Sequence, residues 1–135
     1  MKKSFSSPGN DAALAKLCAE WQKRLRLQDW DVLVSYISKE EKEKEEIGCA
    51  ITEFHSQFKS VKIKVARPED VAQYDICTDI EVTLVHELLH LCCDPFDHFF
   101  TGEENKKSHP TEFRAMEQMI ETVAIALVYA KRGTA

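Results

Sequence analysis

The chain has 135 residues, a length that fits one domain better than two. Apolar residues make up 44% and charged residues 30%, an ordinary globular balance that excludes a disordered acidic tail or a fibrous protein. The formal net charge of −5 weighs against an intrinsic nucleic-acid-binding surface, because such surfaces are usually basic.

Neither membrane insertion nor secretion is expected from the sequence. No run of about 18 apolar residues occurs, and the opening MKKSFSSPGN lacks the apolar segment of a signal peptide. The cysteines are odd in number, lie among apolar residues and form no C-x₂₋₄-C pair. They predict reduced, buried thiols of a cytoplasmic protein, with the adjacent pair filling core space. They are Cys18, Cys49, Cys77, Cys92 and Cys93.

The N-terminal region predicts a short tail and then a helix. Residues 1–9 are small and polar and indicate a loose tail, followed by a single domain over residues 10–135. Asn10 or Asp11 can cap a helix over residues 12–27, because the apolar residues of that segment recur at helical spacing.

Three segments then have the pattern of β-strands. Residues 30–38 alternate in polarity and are rich in β-branched and aromatic side chains, and residues 47–54 and 59–66 follow as second and third strands. The charged run 39–46 indicates a solvated hairpin tip or an extra helical turn. The third strand has apolar residues on one side and lysines on the other, which predicts an edge strand.

The second half of the chain is predicted to be helical. Residues 76–93 leave almost no polar face, which indicates a helix buried nearly all round. A long connection over residues 94–110 leads to a last helix over residues 111–131, which Thr111 can cap and Gly133 follows. The order α-β-β-β-α-α predicts an α+β domain with one small three-stranded sheet.

The buried helix carries the pattern H-E-x-x-H as His86, Glu87 and His90. Residues four apart lie about 40° apart around a helix, so both imidazoles can reach one ion. Zinc lowers the pKa of a bound water to roughly 7, and Glu87 beside it can accept the proton. The alternative is a structural pair of core histidines with Glu87 in a local ion pair, but burying these groups without a partner is costly.

A catalytic zinc usually has three protein ligands and a water. The continuation H-E-x-x-H-x-x-G-x-x-H is absent from the chain. Glu117 and Glu121 are four apart on the last helix, so one can bind zinc while the other accepts the N–H of a ligand histidine. The alternative makes them surface carboxylates paired with Arg114 or Lys131. The candidates for the third ligand are His98, His109, Glu117 and Glu121.

The motif LVHELLHL followed by a helix reading MEQMIETVAIAL resembles the gluzincin zinc metallopeptidases. The chain's size resembles their minimal single-domain relatives, the minigluzincins, and small phage-type predicted metallopeptidases. The resemblance covers roughly residues 28–131 and implies a small sheet, an active-site helix and a glutamate helix. It implies Glu117 as the third ligand and Glu121 in support of a ligand histidine, although the family's second acid is typically Asp and the two glutamates could exchange roles.

The resemblance also bears on substrate binding. In such enzymes a peptide adds as a strand to an edge of the sheet, and the strand over residues 59–66 is the candidate for that edge. A tetrahedral oxyanion needs a hydrogen-bond donor besides zinc. His109 is a candidate donor, as are His98, Tyr74 and Tyr129.

The leading hypothesis is a zinc-dependent peptidase that cleaves a peptide or protein substrate. His86, His90 and Glu117 hold one zinc ion per chain, and Glu87 is the general base and then the proton donor to the leaving amine. An alternative of another class is a zinc-stabilised binding module with a degenerate or latent site. A third is a hydrolase of a non-peptide amide or a crosslinked nucleoprotein. The sequence leaves the substrate, the oligomeric state and the biological role open.

Overall fold

The structure, a computed structural model, describes residues 7–44, 49–70, 79–93 and 107–133. It confirms the predicted α+β class: a three-stranded mixed sheet is combined with an N-terminal helix, a buried helix and a C-terminal helix. The elements in chain order are α1 (Asp11–Arg24), β1 (Asp31–Tyr36), α2 (Lys39–Lys44), β2 (Ala50–His55), β3 (Ser60–Val65), α3 (Ile80–Cys92) and α4 (Pro110–Arg132).

Several predicted features lie outside the described residues. They include most of the predicted N-terminal tail and most of the long connection after α3. Tyr74, Cys77 and His98 are among them. At the described end of the predicted tail, the Pro8 carbonyl accepts a hydrogen bond from the Tyr36 hydroxyl at 2.5 Å.

The helix ends follow from local side-chain chemistry. The Asn10 side chain accepts a hydrogen bond from the third amide of α1, and Asp79 does the same at the start of α3. The prediction that Thr111 caps the last helix is wrong, because α4 begins one residue earlier at Pro110. Proline suits that first position because its φ is already helical and it has no N–H to satisfy. Gly133 follows α4 with φ 72°, the left-handed conformation that ends many helices.

The sheet has the strand order β1-β3-β2, with β3 parallel to β1 and antiparallel to β2. The prediction that residues 59–66 form an edge strand is therefore wrong. Lys62 lies opposite Glu53 in the register, and the Lys64 ammonium pairs with Glu41 of α2 at 2.5 Å. The alternating lysines of β3 indicate that one face of the sheet is polar. They do not indicate whether β3 lies at the edge of the sheet.

The core lies between the apolar face of the sheet and helices α1, α3 and α4. Helix α3 is its centre, and the prediction of a helix buried nearly all round is confirmed because nine of its residues are buried. The alternating buried residues Val61, Ile63 and Val65 of β3 pack in the same cluster. The largest side chains that are fully buried include Trp21, Leu14, Ile63, Ile80, Leu84, Leu88 and Ile120.

A buried ionic network joins the first turn of α3 to α1 and to the end of α4. Glu81, only 3% exposed, accepts hydrogen bonds from the Trp21 indole at 2.7 Å and the Lys131 ammonium at 2.5 Å. Arg132 donates to Glu81 at 3.1 Å and to both Asp79 oxygens at 2.7 and 2.9 Å. Burial on its own raises the pKa of the Glu81 carboxyl, but the bonds from Lys131 and Trp21 outweigh it and the net pKa is lowered.

The cysteines differ from their prediction. Cys49 is disulfide-bonded, to a partner outside the described residues, so the expectation of reduced thiols throughout is wrong. A disulfide needs two Cα atoms within about 7 Å, a distance that only the tertiary fold sets. Cys18, Cys92 and Cys93 form no disulfide. Cys18 is buried in the core as predicted and Cys93 packs against it, whereas Cys92 is exposed and fills no core space.

Of the helices in the described residues, none combines the length and the apolar character needed to cross a membrane. The cytoplasmic location stays a prediction.

The Glu81 network predicts a pH-dependent stability. We expect Glu81→Gln to lower the free energy of unfolding at neutral pH by roughly 3 kcal/mol, because it removes one partner of a buried ion pair. The folded pKa of Glu81 is depressed, so its contribution is present above the ordinary pKa of a glutamate and is lost as the pH falls through the lower folded value. Urea unfolding of both proteins from pH 7 down to pH 3 measures this difference.

The matched control is Glu20→Gln, because Glu20 also pairs with Lys131 but its side chain is 44% exposed. We expect a loss below about 1 kcal/mol for this exposed pair. A difference between wild type and Glu81→Gln that does not change with pH would contradict the assignment.

Candidate metal centre

Three polar side chains of α3 are only partly buried. Most of its residues are buried, but His86, Glu87 and His90 are partly exposed. The two histidines are four residues apart, so they stack one turn apart on the same side of the helix. Their rings are tilted, with centroids 5.1 Å apart. The apolar remainder of the helix holds this face towards α4.

The start of α4 brings Glu117 against both histidines. Its Oε2 lies 3.2 Å from His86 Nε2, and its Oε1 lies 3.0 Å from His90 Nε2. The two Nε2 atoms are 3.3 Å apart. One ligand atom from each of the three residues therefore lies within 4.8 Å of the others. Among the candidate third ligands that the structure describes, Glu117 contacts both histidines.

Glu121 contacts the outer nitrogen of His86. Its Oε2 is 2.5 Å from His86 Nδ1, one helical turn from Glu117. In the neutral tautomer with its N–H at Nδ1, His86 donates to this carboxylate and directs the Nε2 lone pair at the cluster. Glu117 thus faces both Nε2 atoms, and Glu121 takes the supporting position that the sequence left interchangeable. The alternative pairing with Lys131 does not occur, because Lys131 contacts Glu81 and Glu20.

The contacts shift the acid–base equilibria of the cluster. Burial on its own raises the pKa of the Glu117 carboxyl, but hydrogen bonds from His86 and His90 outweigh it and lower that pKa to about 2. Burial lowers the pKa of His86, but its contacts with Glu117, Glu87 and Glu121 outweigh it and the net pKa is raised. The carboxylate of Glu117 is therefore ionised near neutral pH, and its surroundings favour a positive charge between it and the two rings.

Glu87 lies on the side of the cluster that faces the sheet. The hydroxyl of Thr52 on β2 donates to Glu87 Oε2 at 2.8 Å. Thr52 was not singled out in the sequence, and no local signal marks it, because the contact joins residues 35 positions apart. The strand beside Glu87 is β2 and not the predicted segment 59–66.

The donor set fits a zinc ion. Tetrahedral zinc with ligand atoms at about 2.0–2.1 Å separates those atoms by about 3.3 Å. The two Nε2 atoms are 3.3 Å apart, and the Glu117 carboxylate lies 3.2 Å from His86 Nε2 through Oε2 and 3.0 Å from His90 Nε2 through Oε1. When both rings are neutral and direct their Nε2 lone pairs at the carboxylate, these groups repel one another unless a cation, either a metal ion or a proton, lies between them. Two imidazoles with one carboxylate are also a donor set that zinc takes in catalytic sites.

A cavity of about 680 Å³ adjoins the cluster. It runs between α3 and α4 from the histidines towards the start of α3. Its walls beyond the cluster include Val82, Thr83, Ile125 and Tyr129, with Ala50 of β2 on the third side. The volume lies within the range of sites that bind small molecules or substrate side chains.

Two of the predicted oxyanion donors, His109 and Tyr129, are in the described part of the chain, and both are far from Glu117 along α4. His109 stands at the position before α4, exposed and eight residues before Glu117, which is about 12 Å along a helix. Tyr129 lines the far part of the cavity, twelve residues after Glu117 or about 18 Å along α4. A tyrosine side chain cannot span that distance, so Tyr129 lies out of reach of the cluster. The role of His109 as an oxyanion donor stays a prediction.

Comparison of the chain with protein-family models, with curated proteins and with solved structures finds no match in any of the three. Function is therefore inferred from the geometry of the site and from the sequence motif on α3.

Proposed function

We propose that the chain is a zinc-dependent peptidase. The observation that carries this proposal is the convergence of His86, His90 and Glu117 on one point, with the carboxylate of Glu87 next to them on α3. Two imidazoles and a carboxylate supply the ligands of a hydrolytic zinc site, and a fourth side chain supplies the base. The resemblance to the gluzincins supports the same function.

In this proposal His86 and His90 bind zinc through Nε2 and Glu117 binds it through a carboxylate oxygen. Bound zinc supplies Lewis acidity, which makes a water acidic near neutral pH and polarises a carbonyl group. Glu121 holds the His86 ring in the orientation and tautomer that leave Nε2 free to bind.

Glu87 is the group that moves the proton. Its Oε2 accepts the Thr52 hydrogen bond, and among the described residues its Oε1 has no hydrogen-bond partner. The Oε1 atom of such a carboxylate can take a proton from water as the water attacks the scissile carbonyl. It can then deliver the proton to the leaving amine, which restores the carboxylate.

The edge strand β2 favours a peptide as substrate. Among the described strands β2 has a single neighbour, β3, and the hydrogen-bonding groups of its other edge face no described strand. An extended peptide can add to such an edge through main-chain hydrogen bonds. Because Thr52 in the middle of β2 touches Glu87, a peptide bound there passes the base. The 680 Å³ cavity has room for a substrate side chain beside the scissile bond.

A zinc-stabilised binding module is the alternative from another class. There the metal would only tie α3 to α4, and Glu87 would have no catalytic part. The net charge of −5 continues to weigh against a nucleoprotein substrate unless another protein supplies the nucleic-acid contact. The peptidase is preferred because three features adjoin one another in the described part of the chain: a carboxylate with one oxygen that no described residue engages, a cavity, and a strand edge that no described strand covers.

The site predicts stoichiometric zinc binding. We expect the purified chain to bind about one zinc ion, and Glu117→Gln to weaken that binding by at least about 100-fold because the amide carries no charge and is a poor ligand. Glu121→Gln should weaken it by about 10–100-fold, the range for the loss of an outer-shell partner. Competition with a chromophoric chelator measures both affinities.

The control for this titration is Glu112→Gln, an exposed residue in the first turn of the same helix. Its zinc affinity should equal that of wild type. Wild-type affinity in the Glu117→Gln variant would show that the metal is held elsewhere.

If Glu87 is the base, its substitution should affect peptide cleavage and leave zinc binding intact. We expect Glu87→Gln to retain one zinc ion per chain and to lower the cleavage rate of a fluorescently labelled unfolded protein by about 10²–10⁴-fold, since the amide cannot accept the proton. A chelator should abolish wild-type cleavage and added zinc should restore it. If the zinc-loaded wild type cleaves nothing across a peptide library, the binding module is the better description.

A further inference from the structure

We infer that Thr52 is a positioning residue for Glu87, and that it acts by holding the carboxylate of the base through its hydroxyl. This inference rests on the proposed peptidase function. It assigns a role to a residue of the sheet that lies outside the motif on α3 and outside the glutamates on α4. The observation behind it is the 2.8 Å hydrogen bond from Thr52 Oγ1 to Glu87 Oε2.

Thr52 is itself held firmly. It lies in the middle of β2 and pairs with Ile63 in the antiparallel register, and Ile63 of the central strand is 0% exposed. A β-branched side chain has few allowed χ1 rotamers. The hydroxyl is therefore fixed in space by the core of the sheet, while the backbone of Glu87 is fixed by the buried helix α3.

Glu87 needs such a contact because its side chain is the movable part. A glutamate has three rotatable bonds, and its backbone can be rigid while the carboxylate samples several positions. The hydroxyl engages Oε2 and, among the described residues, nothing engages Oε1. One oxygen is thus used to hold the carboxylate, and the other is left to take the proton. Restricting a reacting group to its productive position raises the rate without strengthening substrate binding.

The location of Thr52 on β2 also matters. A peptide added to the outer edge of β2 and the hydroxyl that holds Glu87 would belong to the same strand. The strand that binds the substrate then also holds the carboxylate of the base, which keeps the two close to each other. A valine at this position would keep the shape of the strand and remove only the hydroxyl.

The test compares Thr52→Val with Thr52→Ser in the zinc-loaded protein. We expect Thr52→Val to lower kcat about tenfold with KM and zinc content unchanged, because an interaction that serves only the reacting state is lost. Thr52→Ser keeps the hydroxyl and should recover most of the rate. Since Thr52 is exposed, neither substitution opens a cavity in the core.

The matched control is Thr122→Val. The Thr122 hydroxyl donates to the Gln118 carbonyl on an exposed part of α4, so its loss removes a hydroxyl of the same kind away from the base. This variant should keep wild-type kcat. An equal loss of rate in Thr52→Val and Thr52→Ser would overturn the inference, because the hydroxyl would then not be the active feature.

A second measurement needs no catalysis. In a double-mutant cycle with Glu87→Ala, we expect Thr52→Val to lower the urea midpoint of unfolding in the wild-type background and to leave it unchanged in the Glu87→Ala background. Additive shifts would overturn the inference because no Thr52–Glu87 contact would exist in solution.

The activity assay distinguishes failure of the positioning role from failure of the proposed peptidase function. If the wild type cleaves and Thr52→Val cleaves at the same rate, the positioning role is overturned and the proposed peptidase function is retained. A zinc-loaded wild type without any cleavage overturns the peptidase, and the positioning role with it.

Discussion

The burial of α3 is the constraint on which the rest of the structure depends. This helix is in the middle of the core, with nine residues buried, yet it carries two acidic residues and two histidines. Each polar group on a buried helix needs a partner, because leaving it desolvated and unpaired costs free energy. Glu81 accepts hydrogen bonds from Trp21 and Lys131. The His86 ring contacts the two glutamates of α4, and Glu87 accepts a hydrogen bond from Thr52.

These partners fix the helix α4 at two points. Arg132 near its end binds Asp79 at the start of α3, and Glu117 near its start binds the histidine pair towards the end of α3. The two helices therefore run antiparallel and are joined by polar contacts at both ends. The cavity lies between these two sets of contacts. Because the cluster of His86, His90 and Glu117 spans two helices, its geometry depends on their packing, and the ionic network at the opposite end of α4 supports that packing.

The sequence was sufficient where the signal is local or periodic. The helical spacing of apolar residues located α1, α3 and α4 to within a few residues, and the alternation of polarity located all three strands. The spacing of His86 and His90 predicted that both rings face one way, and the two glutamates four apart predicted that they share a face. The central position of β3 in the sheet could not be predicted. Alternation of polar and apolar residues along a strand indicates which face is buried, but it does not indicate which strands are neighbours.

The sequence by itself determined the chemistry that is available: two imidazoles and a carboxylate on one buried helix, and two carboxylates one turn apart on another. Only the tertiary structure decided how it is used. It brought Glu117 to both Nε2 atoms and Glu121 to Nδ1, and it placed Thr52 against Glu87. The physical reason is that these contacts join residues more than 25 positions apart, and their distances depend on how helices and sheet pack and not on any local preference of the chain.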